Sequence, residues 1–469
     1  MAKSKKQRRE SDSMGEMFVP GDALYGATTQ RAVENFPVSG RTVHPDVIHA
    51  FGLLKAACAH ANKDLKKLPA KQAGAIVKAA KEVAEGKLDE HFPIDIYQTG
   101  SGTSTNMNTN EVIAGRANEL LTGRRGGREP VHPNDHVNYG QSSNDTIPTA
   151  IHVSVAISVQ EVLLPALREF HAVLQEKSRA WHDVVKIGRT HLMDATPIRM
   201  GQEAAGWARQ VELSIARVEG TLPRICELAQ GGTAVGTGLN THPEFGARVA
   251  KLLSERFGLP FVEATDHVEA QASKDACAEL AGQLATVATS LIKIANDIRW
   301  MSSGPRCGLG EIQLPSIQPG SSIMPGKVNP VMCESLMMIG AQVMGHANAV
   351  QVANTHGNLD LNVMMPVIAR ALLESITILG RGVNEFTERA ARGMEANAEK
   401  AEGYVAWSLS MVTSLAPVIG YDQASKIAKR AVDERKTVRD LCEELNVLPA
   451  EDLDRILDPA TMTAPGIPG

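Results

Sequence analysis

Apolar side chains recur at helical spacing over long stretches of this chain. From Ile151 to Trp181, Ile, Val, Leu and Ala return every three or four residues, and Pro165 is the one expected kink or break. Cys277 to Met301 repeats the pattern, with small residues along one face. Val331 to Val350 and Met365 to Phe386 carry too few charges to lie alone on a surface. Helices of about 20 to 30 residues are rods of roughly 30 to 45 Å, and rods that are apolar around much of their circumference must be buried in a bundle. The pattern therefore predicts an all-α fold with a long central helical bundle, and apolar surface left over for symmetric association.

The pattern changes on either side of this region. Before about residue 140 the sequence is short, mixed and rich in Gly, Asn, Thr and Pro. After Asn397 it becomes strongly charged, with KIAKRAVDERKTVRDLCEEL predicting one or two amphipathic surface helices and a proline-rich tail beyond them. Three domains are expected: residues 1–139, the central bundle 140–396, and a small helical domain 397–469. Five basic residues lie between Lys3 and Arg9 with no apolar segment after them. Residues 1–13 are therefore expected to be a solvated, disordered tail rather than a secretory leader, with a nuclear or organellar address as the alternative reading.

Composition narrows the function classes. The net charge of -5 comes from 48 basic and 53 acidic residues mixed through 469 positions, which argues against a nucleic-acid surface or a membrane-seeking face. Polar residues interrupt the apolar stretches before about 18 residues, so no bilayer span is expected. Cys58, Cys226, Cys277, Cys307, Cys333 and Cys442 are widely separated, with no CxxC pair and no HExxH motif near them. Reduced thiols in a cytoplasmic protein, with no metal and no cofactor, are the expectation.

Four segments concentrate small polar residues against glycine or proline: TGSGTSTNMNTNE (Thr99 to Glu111), HPNDHVNYGQSSNDTIP (His132 to Pro148), GRTHLMDATP (Gly188 to Pro197) and GSSIMPGKVNP (Gly320 to Pro330). Each has an ordinary structural explanation. SSND serves as a helix cap, His191 as a core histidine, His132 and Asp135 as the closure of a turn, and Lys327 as a solvated loop residue. Nucleotide motifs do not fit. GSGTST lacks the third glycine of the dinucleotide fingerprint, and PGKV lacks the hydroxyl residue that follows a P-loop lysine. Taken together, the inventory suits the binding of a small dicarboxylate and the movement of a proton on carbon. Hydroxyls and amides donate neutral hydrogen bonds to carboxylates, and a lysine adds charge where negative charge accumulates. A serine at a strained turn and a histidine on a separate element supply base and acid.

These segments also carry a resemblance. GSSIMPGKVNP is the signature loop of the fumarase/aspartase superfamily, and the chain resembles the class II fumarases from about Met14 to its C-terminus. MGEMFVP, ALYGATTQRAVENFP, KIGRTHLMDATP, GGTAVGTGLNTHPEF and KIANDIRWMSSGPRCGLGEI extend the match. The resemblance implies a fumarate hydratase of the tricarboxylic acid cycle, adding water across fumarate to give L-malate without a metal. Ser321 would be the carbon base, and Lys327 and Asn329 would grip the charged carboxylate. His191 would act through a water, with Glu334 setting its charge. Ser101, Gly102, Thr103, Ser142, Ser143, Asn144 and Thr190 would hold the substrate, together with Ser322 and Val328 of the signature loop. His132, Pro133, Asn134 and Asp135 match a second anion site. In this family the catalytic segments come from different subunits, so a homotetramer with shared active sites is implied.

Two positions depart from the pattern of many relatives: Tyr139 and Gly140 stand where Lys-Ser is common, and Glu129 where some carry a basic residue. Both departures fall at the second anion site. An aspartate ammonia-lyase and a non-catalytic scaffold share the fold. Aspartases typically carry Gln at the position of His191, and a scaffold is expected to lose the base, the lysine or the histidine.

Overall fold

The computed structural model describes residues 7–466. Helices dominate it, and the long ones lie where the hydropathy places them: Asp275–Met301, Val331–Asn354 and Met365–Phe386. The helix expected from Ile151 starts earlier, at Ser143, and runs to Ala180. By length and composition alone it passes for a membrane span, but 67% of its most apolar window is buried inside the protein. Pro165 does not break it. Instead residues Val159–Leu163 form a π turn, in which the Leu164 N–H donates to the Val159 carbonyl. Widening the helix by one residue just before the proline accommodates a ring that would otherwise collide with the preceding turn.

The chain divides into two compact units. The first comprises Met1–Pro165, Ala216–Ala288 and Ala341–Gly380. Its N-terminal part is more helical than its composition implied, with helices Pro45–Asp64, Ala70–Ala84 and Thr103–Thr122. The first two approach so closely that a Cβ on Gly52 would lie 2.4 Å from the Ala84 nitrogen. Composition misled at the third, where Ser104, Thr105, Asn106, Asn108, Thr109, Asn110 and Glu111 are all buried. Its acid has a clear task. Glu111 accepts hydrogen bonds from the backbone of Gly26, Thr28 and Thr29 and from the Thr29 hydroxyl. It thereby caps the Ala27–Asn35 helix, whose own N-cap, Gly26, has no side chain to do so.

The expectation of a disordered tail over residues 1–13 needs correction from residue 7 onward; residues 1–6 lie outside the described residues. Gln7–Asp12 pairs antiparallel with Gly15–Pro20. Arg8 donates to the carbonyls of Ala23 and Tyr25 at 2.8 and 3.0 Å, and Arg31 donates to Asp12 at 2.7 Å. Charges that look solvated in sequence are here the fasteners of a hairpin.

The second unit comprises Ala166–Ile215, Thr289–Gly340 and Arg381–Gly469. Its C-terminal core gathers Val405, Leu415, Ile427, Leu441, Leu453 and Ile456 with Val185 and Ile187 of a β-hairpin. The charged stretch after Asn397 yields two helices, Tyr421–Glu434 and Val438–Glu444, the second opened by a Thr437/Asp440 capping box. Among the described residues, five two-stranded ribbons punctuate the helices. One of them, Val185–Thr190 with Met193–Arg199, carries Thr190 and, at its turn, His191.

Candidate active site

In the first unit Ser101, Thr103 and Ser143, three of the residues expected to bind carboxylate, lie together. Gly102 caps the Thr103–Thr122 helix in the left-handed conformation, at φ 71°, and a Cβ there would meet Ile147 at 2.6 Å. Glycine is required on both counts. The turn sets the Ser101 hydroxyl 2.8 Å from that of Thr103, which in turn lies 2.8 Å from the Ser143 hydroxyl. Each hydroxyl is both donor and acceptor, so the chain of three can turn its protons toward a carboxylate. Ser142 opens the next helix in a capping box with Asp145. Asn144 is oriented by its amide, which donates to the Ala234 carbonyl at 2.7 Å. The ordinary reading of SSND as a cap is thus correct, and the cap is also what presents Ser143 and Asn144.

Two buried charges stand behind this turn: Asp145, which ends the SSND cap, and Lys55, to which no motif pointed. Asp145 is fully buried. Its Oδ1 accepts from the Ser142 N–H and the Thr146 hydroxyl, and its Oδ2 from the Gln230 amide and the N–H groups of Gly231 and Thr233. Even so, burial raises its pKa to about 6. Lys55, also fully buried, donates to the side-chain oxygens of Asn138 and Gln141 at 2.9 Å each, and burial lowers it to about 8. A lone lysine inside the apolar run FGLLKAACA is the signal that could have marked it.

The residues expected to form a second anion site, His132 to Asp135, lie on one turn. His132 caps a π turn over Pro133–Val137, and its Nδ1 accepts from the N–H groups of Asn134 and Asp135 at 3.2 and 3.1 Å. Those two amides, the natural anion donors of such a turn, are therefore engaged by the histidine itself. Burial lowers the pKa of His132, in keeping with a neutral, accepting ring. A cavity of about 790 Å³ adjoins Asn134, Asp135, Tyr139, Gly140 and Ser142, with Lys67 and His242 as its basic groups.

In the second unit, His191 sits at the tip of the Val185–Thr190/Met193–Arg199 hairpin. The two-residue turn His191–Leu192 has φ of 57° and 62°, the left-handed pair that such hairpins need and that Asn-Gly usually supplies. Thr190 and His191 are both exposed.

The signature loop is clasped at its neck. The Gly320 N–H donates to the Lys327 carbonyl at 2.7 Å, and the Asn329 side-chain amide donates to the Gly320 carbonyl at 2.8 Å. Inside this clasp the Ser321 hydroxyl oxygen accepts from the N–H groups of Ile323 and Met324 at 3.2 and 3.0 Å. Two amide donors on one oxygen favour its anionic form, as an oxyanion hole does. Ser322, Lys327 and Val328 are exposed along the loop. Glu334 lies in the first turn of Val331–Asn354 and is also exposed. Among the described residues, neither the Glu334 carboxylate nor the His191 ring has a hydrogen-bond or ion-pair partner within the chain, so the expected Glu334–His191 pair does not form inside one protomer. No three His, Cys, Asp or Glu side chains of the described residues converge as a metal-binding set.

Comparison with known proteins follows the same lines. Residues 15–345 match the family described as Lyase, and residues 411–464 match the one described as Fumarase C C-terminus. Fumarate hydratase class II of Methylorubrum extorquens is 51% identical over 458 residues, covering 98% of this chain and 97% of that protein. The mitochondrial fumarate hydratase of Homo sapiens is 50% identical over 467 residues, covering 99% and 91%. The crystal structure of class II fumarase from Schistosoma mansoni superposes with a TM-score of 0.93 at 42% identity, over 97% of this chain and 99% of that one. A Brucella melitensis structure described as fumarate lyase:delta crystallin bound to cobalt gives the same score and identity, over 98% and 100%. At about half identity over nearly its whole length, the chain belongs to the class II fumarases of the fumarase/aspartase superfamily.

Proposed function

We propose that this class II fumarate hydratase interconverts fumarate and L-malate with Ser321 as the carbon base and His191 as the group that manages the hydroxyl. In the dehydration direction the Ser321 oxygen takes a proton from C3 of malate. The electron pair left behind passes into the adjacent carboxylate as an aci-carboxylate, which Lys327 and Asn329 stabilise. It then forms the C2–C3 double bond as the C2–O bond breaks. His191, through a water, delivers the proton that lets the hydroxyl depart as water; hydration runs the same steps in reverse. Thr103, Ser142, Ser143 and Asn144 hold the carboxylates, with Ser101 and Gly102 behind them and Thr190 beside His191.

The observation that carries this reading is the Ser321 hydroxyl accepting two backbone N–H groups, because a serine is a useful base only where its alkoxide is stabilised. The exposed, unpartnered His191 and Glu334 support a site completed by neighbouring subunits of a homotetramer. Six unpaired cysteines, five of them buried, support a cytoplasmic location.

The test is a steady-state assay of fumarate absorbance with malate, fumarate and aspartate as substrates. Ser321→Ala and His191→Asn should each lower kcat on malate by on the order of 10²–10⁴ with folding nearly unchanged. Wild-type kcat in Ser321→Ala would remove the base assignment, and an active monomer in sedimentation would overturn the shared site.

A further inference from the structure

We propose that Arg189 and Glu311 are positioning residues for His191, a clamp beneath the hairpin that aims the imidazole; this rests on His191 acting as proposed above. The tip cannot aim itself. His191 and Leu192 both occupy the left-handed region, which is strained for side chains of their size. With no hydrogen-bond partner among the described residues, the ring takes its direction from the backbone that carries it.

That backbone is irregular just below the tip. Val185, Lys186 and Ile187 pair with Arg199, Ile198 and Pro197, but the register then shifts, and Arg189 faces Asp194. Ala195 and Thr196 stand opposite Gly188 alone, so the extra residue of this bulge lies on the Met193–Arg199 strand. In a regular strand, residues three apart point to opposite sides. Beside this irregularity Lys186 and Arg189, three apart, nevertheless reach the same carboxylate. Glu311 is wholly buried and accepts from Arg189 Nη1 at 2.9 and 3.0 Å, while Lys186 Nζ lies 3.5 Å away. The same Lys186 ammonium donates to the carbonyl of Ile187, at the bulge itself, and to Glu203 at 2.9 Å. The Glu311 backbone is fixed on both sides, its N–H to Met301 and its carbonyl to Asn397, each at 2.8 Å. The Tyr404 ring stacks against the Arg189 guanidinium at 5.7 Å, and its hydroxyl donates to the carbonyls of Gly308 and Leu309.

Two cations and two carboxylates thus sit below an exposed tip, where apolar side chains would fill the same volume with less desolvation cost. What the charges add is direction: one guanidinium nitrogen held by both oxygens of a buried carboxylate tethers the strand two residues before His191.

A single Glu311→Gln change leaves the Arg189 cation without its carboxylate and puts folding at risk, so the test uses the charge-balanced pair Arg189→Met with Glu311→Gln, in which Lys186 keeps Glu203. The assembled enzyme should lose on the order of ten- to a hundredfold in kcat on malate, with KM within about threefold of wild type, because the carboxylate contacts are made elsewhere. Arg189→Lys should recover part of the loss. The decisive arm repeats the pair in a His191→Asn background, where a clamp that acts through His191 causes no further loss. A loss that multiplies there, or wild-type kcat in the pair alone, overturns the clamp. Wild-type kcat in His191→Asn alone overturns the proposed role of His191 and leaves the mechanism, rather than the clamp, at fault.

Discussion

Replacing Asp145 by Asn sets two sizeable effects against each other. Burial raises the carboxyl from its usual 3.8 to about 6, so holding it ionised at neutral pH costs the folded state about 3 kcal/mol at 1.36 kcal/mol per unit. Asn removes that cost. It has one acceptor oxygen, however, where Asp145 presents two oxygens to five donors. If the amide oxygen keeps the three donors now on Oδ2, the NH₂ group faces the Ser142 N–H, and the Thr146 hydroxyl can turn to accept from it. One orphaned buried N–H costs about 1–3 kcal/mol. The two effects nearly cancel, and the net change at pH 7.5 should stay within about 2 kcal/mol. Function should not be spared, because the lost bond is half of the capping box that presents Ser143 and Asn144. KM for malate should rise about tenfold, equivalent to about 1.4 kcal/mol of binding.

The pH dependence carries its own sign. The folded-state value lies above the unfolded one, so the group's stabilising contribution is complete below about 4 and is lost as pH rises through about 6. The wild type should therefore gain on the Asn variant as pH falls across that window, measured as the difference in urea midpoints between pH 4.5 and 7.5. A difference that stays flat, or a loss above about 5 kcal/mol at neutral pH with KM unchanged, would refute the reasoning.

Other substitutions test the same unit. Gly100→Ala would put a Cβ 1.8 Å from the Val363 carbonyl, with backbone on both sides, and should destabilise by about 3 kcal/mol or more; thermal unfolding reads this directly. Gly74→Ala is its control, having open space around it on the Ala70–Ala84 helix, and should stabilise by about 0.5–1 kcal/mol. Thr103→Val removes the middle hydroxyl of the Ser101–Thr103–Ser143 chain without changing shape, so KM should rise at least about tenfold with the melting temperature nearly unchanged.

Legibility of the sequence followed physical lines. The long helices were readable because their apolar period extends over five or more turns, and Met365–Phe386 was placed to the residue. The Thr103–Thr122 helix was not, because the first half of its buried face is made of amides and hydroxyls, several of them bonded to partners such as the His91 carbonyl and Gln98, which no hydropathy pattern records. Ribbons of two residues leave too short a trace to detect, and the Gln7–Asp12 strand hides in charge that only its hairpin partner makes sense of. The site motifs stood out because glycine, proline and small polar residues rarely cluster without a backbone reason. Lys55 escaped because it lies in an apolar run away from every motif; Asp145 and Glu311 stand inside quoted segments, but their roles escaped because each acts through contacts as many as 122 positions distant.

Glu111 ties the start of the Ala27–Asn35 helix to a carboxylate more than 80 positions downstream. On a ribosome that helix emerges first, yet its exposed amides wait until the Thr103–Thr122 segment has been made and wound. The cap of that helix is consequently completed only after a much later segment is made, and a fragment ending before residue 111 would leave the helix frayed at its leading end.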